Sequence, residues 1–196
     1  MTDTSAAPMR KVIASTYLSL DGVIANPHLW MLSYMTEEGQ RYALEQLFGS
    51  DALLLGRATY EGFAQAWPSM PRDEAGFADR MNSLPKYVVS TTLQRLDWHN
   101  STIIAGDVAK EVAELKRQPG KDILMYGCGR LARTLLDNDL LDELRFWLHP
   151  VFVGDGRVEN GDLLFRDGGA ANLRLVGQTE LSSGVVILRY QPAEKR

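Results

Sequence analysis

Short apolar runs alternate with longer segments of helical periodicity through the first two-thirds of the chain. A short, mostly apolar run is typical of a strand that is buried on both faces of a parallel sheet. The runs that fit this description are residues 11–18, 52–55, 86–90, 102–105 and 123–126. They predict a mainly parallel sheet at the centre of an α/β fold.

The segments between these runs carry apolar residues at helical spacing. Thr36 and Asp107 each precede such a segment, and both residue types favour the N-cap position because their side chains accept backbone amide hydrogen bonds. The predicted helices are residues 36–48, 56–67, 73–81 and 107–116, and a helix that contains Leu131, Leu135 and Leu136.

The pattern changes after Asp142, where strand-like segments at 144–153, 173–181 and 185–190 follow one another without a helix between them. Such segments predict antiparallel strands that extend the parallel core. We expect a disordered tail at residues 1–9 and a single domain over residues 10–196. The segment 144–153, LRFWLHPVFV, alternates bulky residues with no helix to cover them, which predicts a homodimer.

Composition narrows the choice of partners. The formal net charge is −4 and Lys and Arg form no block, so we expect a small-molecule ligand and neither nucleic acid nor a membrane surface. One cysteine excludes an internal disulfide, and the three histidines are too scattered for zinc, so no metal is expected. The N-terminus lacks the apolar core of a signal peptide and no run approaches the ~20 apolar residues of a membrane span, which favours the cytoplasm.

Three predicted strands end in residues suited to phosphate. Gly56 and Arg57 follow one strand, the segment 127–130 (GCGR) follows another, and the hydroxyl cluster 90–92 (STT) follows a third. Glycine lets a phosphate approach the backbone, and an arginine beside it can hold the phosphate with two hydrogen bonds. In open α/β sheets, ligands bind at the carboxyl ends of the parallel strands, so these segments predict a phosphate-containing ligand there.

The same residues carry a resemblance to a known family. The motifs, in order, are SLDGVIA (19–25), GRATYE (56–61), KYVVST (86–91), YGCGRL (126–131) and DELRFWLHPVFVGDG (142–156). Together they resemble the dihydrofolate reductase fold family, and within it the branch similar to the reductase half of the bifunctional riboflavin biosynthesis enzyme. The resemblance covers residues 10–192 and implies a central, mostly parallel mixed sheet flanked by helices, with antiparallel C-terminal strands.

The resemblance implies NADPH as cofactor. Arg57 and the hydroxyl cluster of Ser90, Thr91 and Thr92 would surround the 2′-phosphate and adenosine, and Gly56 and Thr59 would contact the phosphates. The pyrophosphate and the path to the nicotinamide would be contacted by Gly127, Cys128, Gly129, Arg130 and Leu131, and Ile24 and Ala25 would lie against the nicotinamide ring. Two arginines and a hydroxyl cluster also suit an extra phosphate better than a ribose diol, which favours an acidic residue.

The substrate and the catalytic groups stay open at this point. The pterin-binding acid of dihydrofolate reductases and the aspartate-proline segment of the riboflavin-type reductases have no clear counterpart here, and the zinc deaminase motif is absent. Asp21 and Glu38 are the carboxylates considered for catalysis, although Asp21 before Gly22 also fits a tight turn and Glu38 also fits a helix N-terminus. Trp30, Tyr34 and Tyr60 are the candidates to wall a pocket for a flat heterocycle.

Two functions remain. One is an NADPH-dependent reductase of a small heterocycle, such as 5-amino-6-(5-phosphoribosylamino)uracil or dihydrofolate, and the other is a nucleotide-binding module without turnover. For the glycine-rich turn at 127–129 we expect a distorted backbone with a cis Gly127–Cys128 bond, amides that face the cofactor pyrophosphate, and a Cys128 side chain that points away from the ligand.

Overall fold

A computed structural model describes residues 9–154, 164 and 170–193. In these residues one sheet contains eight strands: β1 (Val12–Ser19), β2 (Ser50–Gly56), β3 (Lys86–Val89), β4 (Ser101–Ile104), β5 (Asp122–Tyr126), β6 (Glu143–His149), β7 (Leu173–Glu180) and β8 (Val186–Pro192). The α-helices are α1 (Glu37–Phe48), α2 (Arg57–Ala66), α3 (Phe77–Ser83), α4 (Val108–Arg117) and α5 (Arg130–Asp137). Residues 1–8 of the predicted tail lie outside the described residues.

The strand order is β4-β3-β2-β5-β1-β6-β8-β7. All strands from β4 to β6 run parallel, whereas β8 pairs antiparallel with both β6 and β7. The fold class predicted from the sequence is therefore confirmed: a mostly parallel mixed sheet with antiparallel C-terminal strands.

Local sequence signals set the starts of the helices. The Thr36 hydroxyl accepts the Gly39 amide at the start of α1, and the Asp107 carboxylate accepts the Lys110 amide at the start of α4, as predicted. Helix α3 begins at Phe77 rather than at residue 73, because Asp73 lies before the helix and accepts the amides of Phe77 and Ala78.

Alternate residues along β1 enter different cores. Ile13 packs with Leu47 of α1 and residues of α2 and α3 on one face of the sheet, whereas Val12 and Ala14 pack with α4 and α5 on the other. Both faces of the central strands are thus covered, which explains why their sequences are apolar throughout. In the described ranges, no helix is long and apolar enough to cross a membrane.

Strand β6 differs from its prediction. It ends at His149 rather than at residue 153, and its bulky residues Phe146 and Trp147 are 6% and 4% exposed. The strand lies between β1 and β8, so Phe146 and Trp147 are covered within the chain. Phe152, in the same predicted segment but beyond the end of β6, is 75% exposed, and Leu175 on β7 is 47% exposed. The homodimer itself stays a prediction.

Candidate functional site

The strand order brings the predicted ligand-binding segments together. Strands β3, β2, β5 and β1 are consecutive neighbours in the sheet and run in the same direction. The segments that follow them, which begin at Ser90, Arg57, Gly127 and Leu20, therefore lie side by side at one edge. We call this the carboxyl edge. Residues far apart in the sequence meet there because the chain crosses over between parallel strands.

Two helices begin at the carboxyl edge, each after a glycine. Gly56 is the N-cap of α2 and Gly129 is the N-cap of α5, and neither end has a side-chain cap. A Cβ atom on Gly56 would lie 4.0 Å from Cβ of Leu131, so the two helix starts are close neighbours. The first amides of a helix lack intrahelical acceptors and attract anions. The pair of helix starts is therefore suited to a diphosphate.

Gly127 forms the sharp turn between β5 and α5. Its φ of +85° is in the left-handed region that favours glycine, and an added Cβ atom would lie 3.2 Å from the Thr59 hydroxyl. One expectation for this turn is wrong, and a second is wrong for Gly127. The part of the chain described contains no cis peptide bond, since the positive φ turns the backbone instead, and the Gly127 amide donates to the Ser15 carbonyl at 3.0 Å, so it does not face a ligand.

Cys128 lies inside the protein, as predicted, with a fully buried side chain next to the core of α5. Burial raises the pKa of its thiol to about 12. A thiol that stays protonated at neutral pH is a poor nucleophile, so the geometry gives Cys128 a packing role.

The two predicted arginines both start a helix at the carboxyl edge. The side chain of Arg57 is 56% exposed, and its guanidinium lies 3.6 Å from the carboxylate of Glu61 one turn later. Arg130 is also exposed at the first position of α5. A loose surface pair such as Arg57–Glu61 has little stability of its own, so the guanidinium is available to an anionic ligand.

The hydroxyl cluster after β3 is organised by Ser90. Its side-chain oxygen accepts the amides of Thr92 and Leu93, at 3.2 and 3.0 Å, and its backbone amide donates to Ile104. Ser90 is buried, whereas Thr91 and Thr92 are exposed. The two threonines are therefore the members of the cluster that a ligand can reach directly.

Asp21 has a structural task. Its carboxylate accepts hydrogen bonds from the Ser19 hydroxyl at 2.5 Å and from the amides of Val153 and Gly154 at 3.1 and 2.8 Å. The Ser19 hydroxyl and then the Gly154 amide lower the pKa of Asp21, so it is ionised at neutral pH. Asp21 thereby ties the loop after β1 to the loop after β6.

Glu38, the other carboxylate considered for catalysis, is exposed in the first turn of α1. It accepts the Ser182 amide at 3.0 Å, and this contact is the main reason that the pKa of Glu38 lies below its usual value. Both carboxylates therefore hold loops together in this conformation. The catalytic roles considered for these two carboxylates stay predictions.

An aromatic pocket lies where β1 and β6 end. His149 is 2% exposed and its ring makes edge contacts with Tyr17, Trp30 and Tyr34 at centroid distances of 5.3, 5.2 and 5.7 Å. The adjoining cavity is lined by Tyr17, Met31, Tyr34, Met35, Gly39, Trp147, His149, Leu181 and Val185, and has about 10 Å³ of free space, room for a single water molecule.

His149 is neutral in this pocket. Burial lowers the pKa of His149, and this effect outweighs hydrogen bonds to the Trp147 and Leu18 carbonyls, which raise it. The Nδ1 atom lies 2.7 Å from the Trp147 carbonyl oxygen. The sequence did not single out Tyr17 or His149 for this pocket. The pairing of Tyr17 with Trp147 and of Ser19 with His149 in parallel register brings them together, and no local sequence signal reports that register.

The predicted members of the pocket do not all reach it. Trp30 and Tyr34 do, and the Trp30 indole donates to the Ala25 carbonyl at 3.1 Å, which links the pocket to the half-buried segment of Ile24 and Ala25. Tyr60 does not: it is 3% exposed, and its hydroxyl accepts the Trp98 amide in the core beneath α2. Its position on the inner face of α2 explains the difference.

Comparison with known proteins finds similar sequences over nearly the whole chain. The family model of the RibD C-terminal domain matches residues 10–187. The Bacillus subtilis (strain 168) protein named Uncharacterized protein YyaP is 31% identical over 191 residues, covering 95% of this chain and 97% of that protein.

Two solved structures have the same fold. A pyrimidine reductase-like protein from Corynebacterium diphtheriae has a TM-score of 0.62 at 12% identity, over 95% of this chain and 93% of that chain. The dihydrofolate reductase of Enterococcus faecalis, complexed with NADP(H) and RAB-propyl, has a TM-score of 0.60 at 13% identity, over 94% of this chain and 97% of that chain.

Proposed function

The chain belongs to the family of the RibD C-terminal domain, and from this premise we propose that it is an NADPH-dependent reductase of a small heterocyclic substrate. The observation that carries the proposal is the carboxyl edge, where two uncapped helix starts, a partly exposed arginine and two exposed threonines lie on neighbouring strands. We also propose that it acts in the cytoplasm. Its substrate would be a small molecule rather than nucleic acid or a membrane surface.

The residues of this edge fit the parts of NADPH. The amides that begin α2 and α5 are suited to the two phosphates of the diphosphate, and Arg57 with Thr91 and Thr92 to the 2′-phosphate. Ile24 and Ala25 lie beside the aromatic pocket and would hold the nicotinamide ring against it. When bound, the cofactor supplies a hydride.

The aromatic pocket supplies the other half of the site. Its rings and the neutral His149 favour a flat, weakly polar group such as a pyrimidine or a pterin. Because the pocket has room for only one water molecule, the segment with Trp30 and Tyr34 must shift to admit a ring. Asp21 and Glu38 both accept hydrogen bonds from backbone amides. This arrangement therefore favours water as the proton donor.

The second candidate function is a nucleotide-binding module without turnover. Two observations favour it: both carboxylates near the site take part in structural hydrogen bonds, and the pocket is nearly filled by its own side chains. Oxidation of NADPH in the presence of dihydrofolate, 5-amino-6-(5-phosphoribosylamino)uracil, or a panel of imines and quinones separates the two functions. No oxidation with any of them, together with tight NADPH binding, supports the binding module.

A glycine variant tests the cofactor site without disturbing the fold. A Cβ atom on Gly129 meets no atom within 4 Å and the φ of Gly129 is −88°, so we expect Gly129→Val to fold and to block a phosphate at the start of α5. We expect this variant to lose NADPH binding in a fluorescence titration. The matched control is Gly62→Val, because a Cβ atom at Gly62 on α2 also meets nothing within 4 Å. Unchanged NADPH binding by Gly129→Val would refute the proposed phosphate site.

A further inference from the structure

A second cleft lies at the opposite edge of the sheet from the proposed cofactor site. It has a volume of about 220 Å³ and is lined by Ile13, Tyr42, Glu45, Gln46, Gly49, Ser50, Asp122, Arg145 and Arg189. Ser50 and Asp122 are the first residues of β2 and β5, and Ile13 is near the start of β1, so the cleft is at the amino ends of the parallel strands. None of the residues assigned to NADPH lines it.

Two arginines from neighbouring strands line this cleft. Arg145 on β6 and Arg189 on β8 are paired opposite each other in antiparallel register, so their side chains leave the same face of the sheet. Like charges in directly opposed positions are destabilising. An anion bound between the two guanidinium groups would offset this repulsion through charge-assisted hydrogen bonds.

Neighbouring residues hold both side chains in position. The Arg145 side chain is 16% exposed, and its Nε lies 2.7 Å from the buried carboxylate of Glu143, while one terminal nitrogen lies 3.4 Å from Gln46 Oε1. Arg189 lies over Gly177 of β7, where an added Cβ atom would come within 2.5 Å of its guanidinium. The glycine therefore clears the space that this guanidinium occupies.

Within the described ranges, the other polar groups of the cleft form no direct contact with the Arg189 guanidinium. Arg145 forms an ion pair with Glu143, and the Asp122 carboxylate accepts a hydrogen bond from the Lys11 amide at 3.2 Å. Glu45 is exposed on α1, and no ion pair or hydrogen bond to Arg189 forms within the described ranges. Burial raises the pKa of Tyr42, against the lowering effect of Arg145 and Arg189, so its hydroxyl is a neutral hydrogen-bond donor.

We propose that this cleft is a second ligand site, which binds a small multivalent oxyanion such as a phosphate group between Arg145 and Arg189. The Tyr42 hydroxyl, on the facing side of α1, donates a further hydrogen bond. The volume suits a small anion better than a nucleotide, since pockets for larger organic ligands are typically about 300–1,000 Å³. The site does not depend on the proposed reductase function.

Calorimetric titration with inorganic phosphate at constant ionic strength tests the proposal. We expect Arg189→Met to weaken phosphate binding by about tenfold or more, the loss typical of one charge-assisted contact. Arg95→Met, which removes the same charge from an exposed pair with Asp97, should bind as the wild type does. Glu45→Gln removes the competing carboxylate from the rim and should tighten binding, a gain that a folding defect would not produce.

A further variant separates this cleft from the carboxyl edge. Phosphate binding that persists in Arg57→Met but is lost in Arg189→Met assigns the anion to the cleft, whether or not NADPH binds at the other edge. Loss of all phosphate binding in Arg57→Met would overturn the proposal. Equal affinity of wild type and folded Arg189→Met, or no phosphate binding by the wild type at millimolar concentration, would overturn it as well.

Discussion

Lys86 has an unusual environment for a charged side chain. It is fully buried, and its Nζ atom donates to the carbonyls of Asn82, Leu84 and His99 at 2.7, 2.8 and 3.1 Å while it lies 4.3 Å from the centre of the Trp98 ring. An ammonium group has three protons, so three carbonyls satisfy it completely. The residue thereby joins the end of α3 to the segment before β4.

The burial of Lys86 gives a testable dependence of stability on pH. Burial lowers the pKa of Lys86 from 10.5 to about 8, so the unfolded chain binds more protons between these values and stability rises with pH. Lys86→Met removes this dependence and leaves three carbonyls without a donor, at a cost on the order of 1–3 kcal/mol. Chemical denaturation should therefore show the wild type gaining stability over the variant from pH 8 upward.

The control for this experiment is Lys110→Met, since Lys110 is exposed on α4. Its free energy of unfolding should stay close to that of the wild type, because the substitution removes no buried contact. A constant difference between wild type and Lys86→Met would contradict the account of a buried lysine that titrates.

At the scale of elements, the loops after β1 and β6 are joined by Asp21 rather than by pairing between strands. Asp21→Asn replaces an ionised acceptor of three hydrogen bonds with an amide, whose NH₂ group cannot accept. We expect faster hydrogen exchange at the amides of Val153 and Gly154 in the variant at neutral pH. In the wild type the lowered pKa of Asp21 keeps its carboxylate ionised, and this protection in place, at neutral pH.

Asp97→Asn is the matched control for that change, because Asp97 lies in an exposed pair with Arg95. It should leave exchange at Val153 and Gly154 unaltered. If Asp21→Asn abolished reduction while exchange and cofactor binding stayed as in the wild type, the residue would be catalytic and the structural role would be wrong.

The elements themselves could be predicted well because their signals are local. Apolar runs marked β2, β3 and β5, and the N-cap residues Thr36 and Asp107 marked the starts of α1 and α4. Properties that depend on pairing could not be predicted. The register of β6 against β1 brings the aromatic residues together around His149. The register of β6 against β8 sets Arg145 opposite Arg189. The hydrogen bond of the Gly127 amide likewise depends on the neighbouring strand.

We expect the whole molecule to form a homodimer, but not through Phe146 and Trp147 of β6, which are buried. β6 is covered on both sides, whereas edge strand β7 exposes Leu175, and Leu173 and Tyr190 are only partly buried. Light scattering at micromolar concentration should report twice the chain mass. Leu175→Lys should shift the protein toward monomers, because a charge at an apolar contact is costly. A monomeric wild type would contradict this prediction.

Substitution of Arg57 tests the proposed NADPH site at the carboxyl edge most directly. Titration calorimetry of wild type and Arg57→Ala with NADPH and with NADH compares two ligands that differ only in the 2′-phosphate. The account predicts that Arg57→Ala loses about 1.5–3 kcal/mol of NADPH binding, the typical value of a charge-assisted hydrogen bond, and keeps its affinity for NADH. Arg95→Ala should change neither affinity. Equal losses of NADPH and NADH in Arg57→Ala, or no loss of either, would contradict the account.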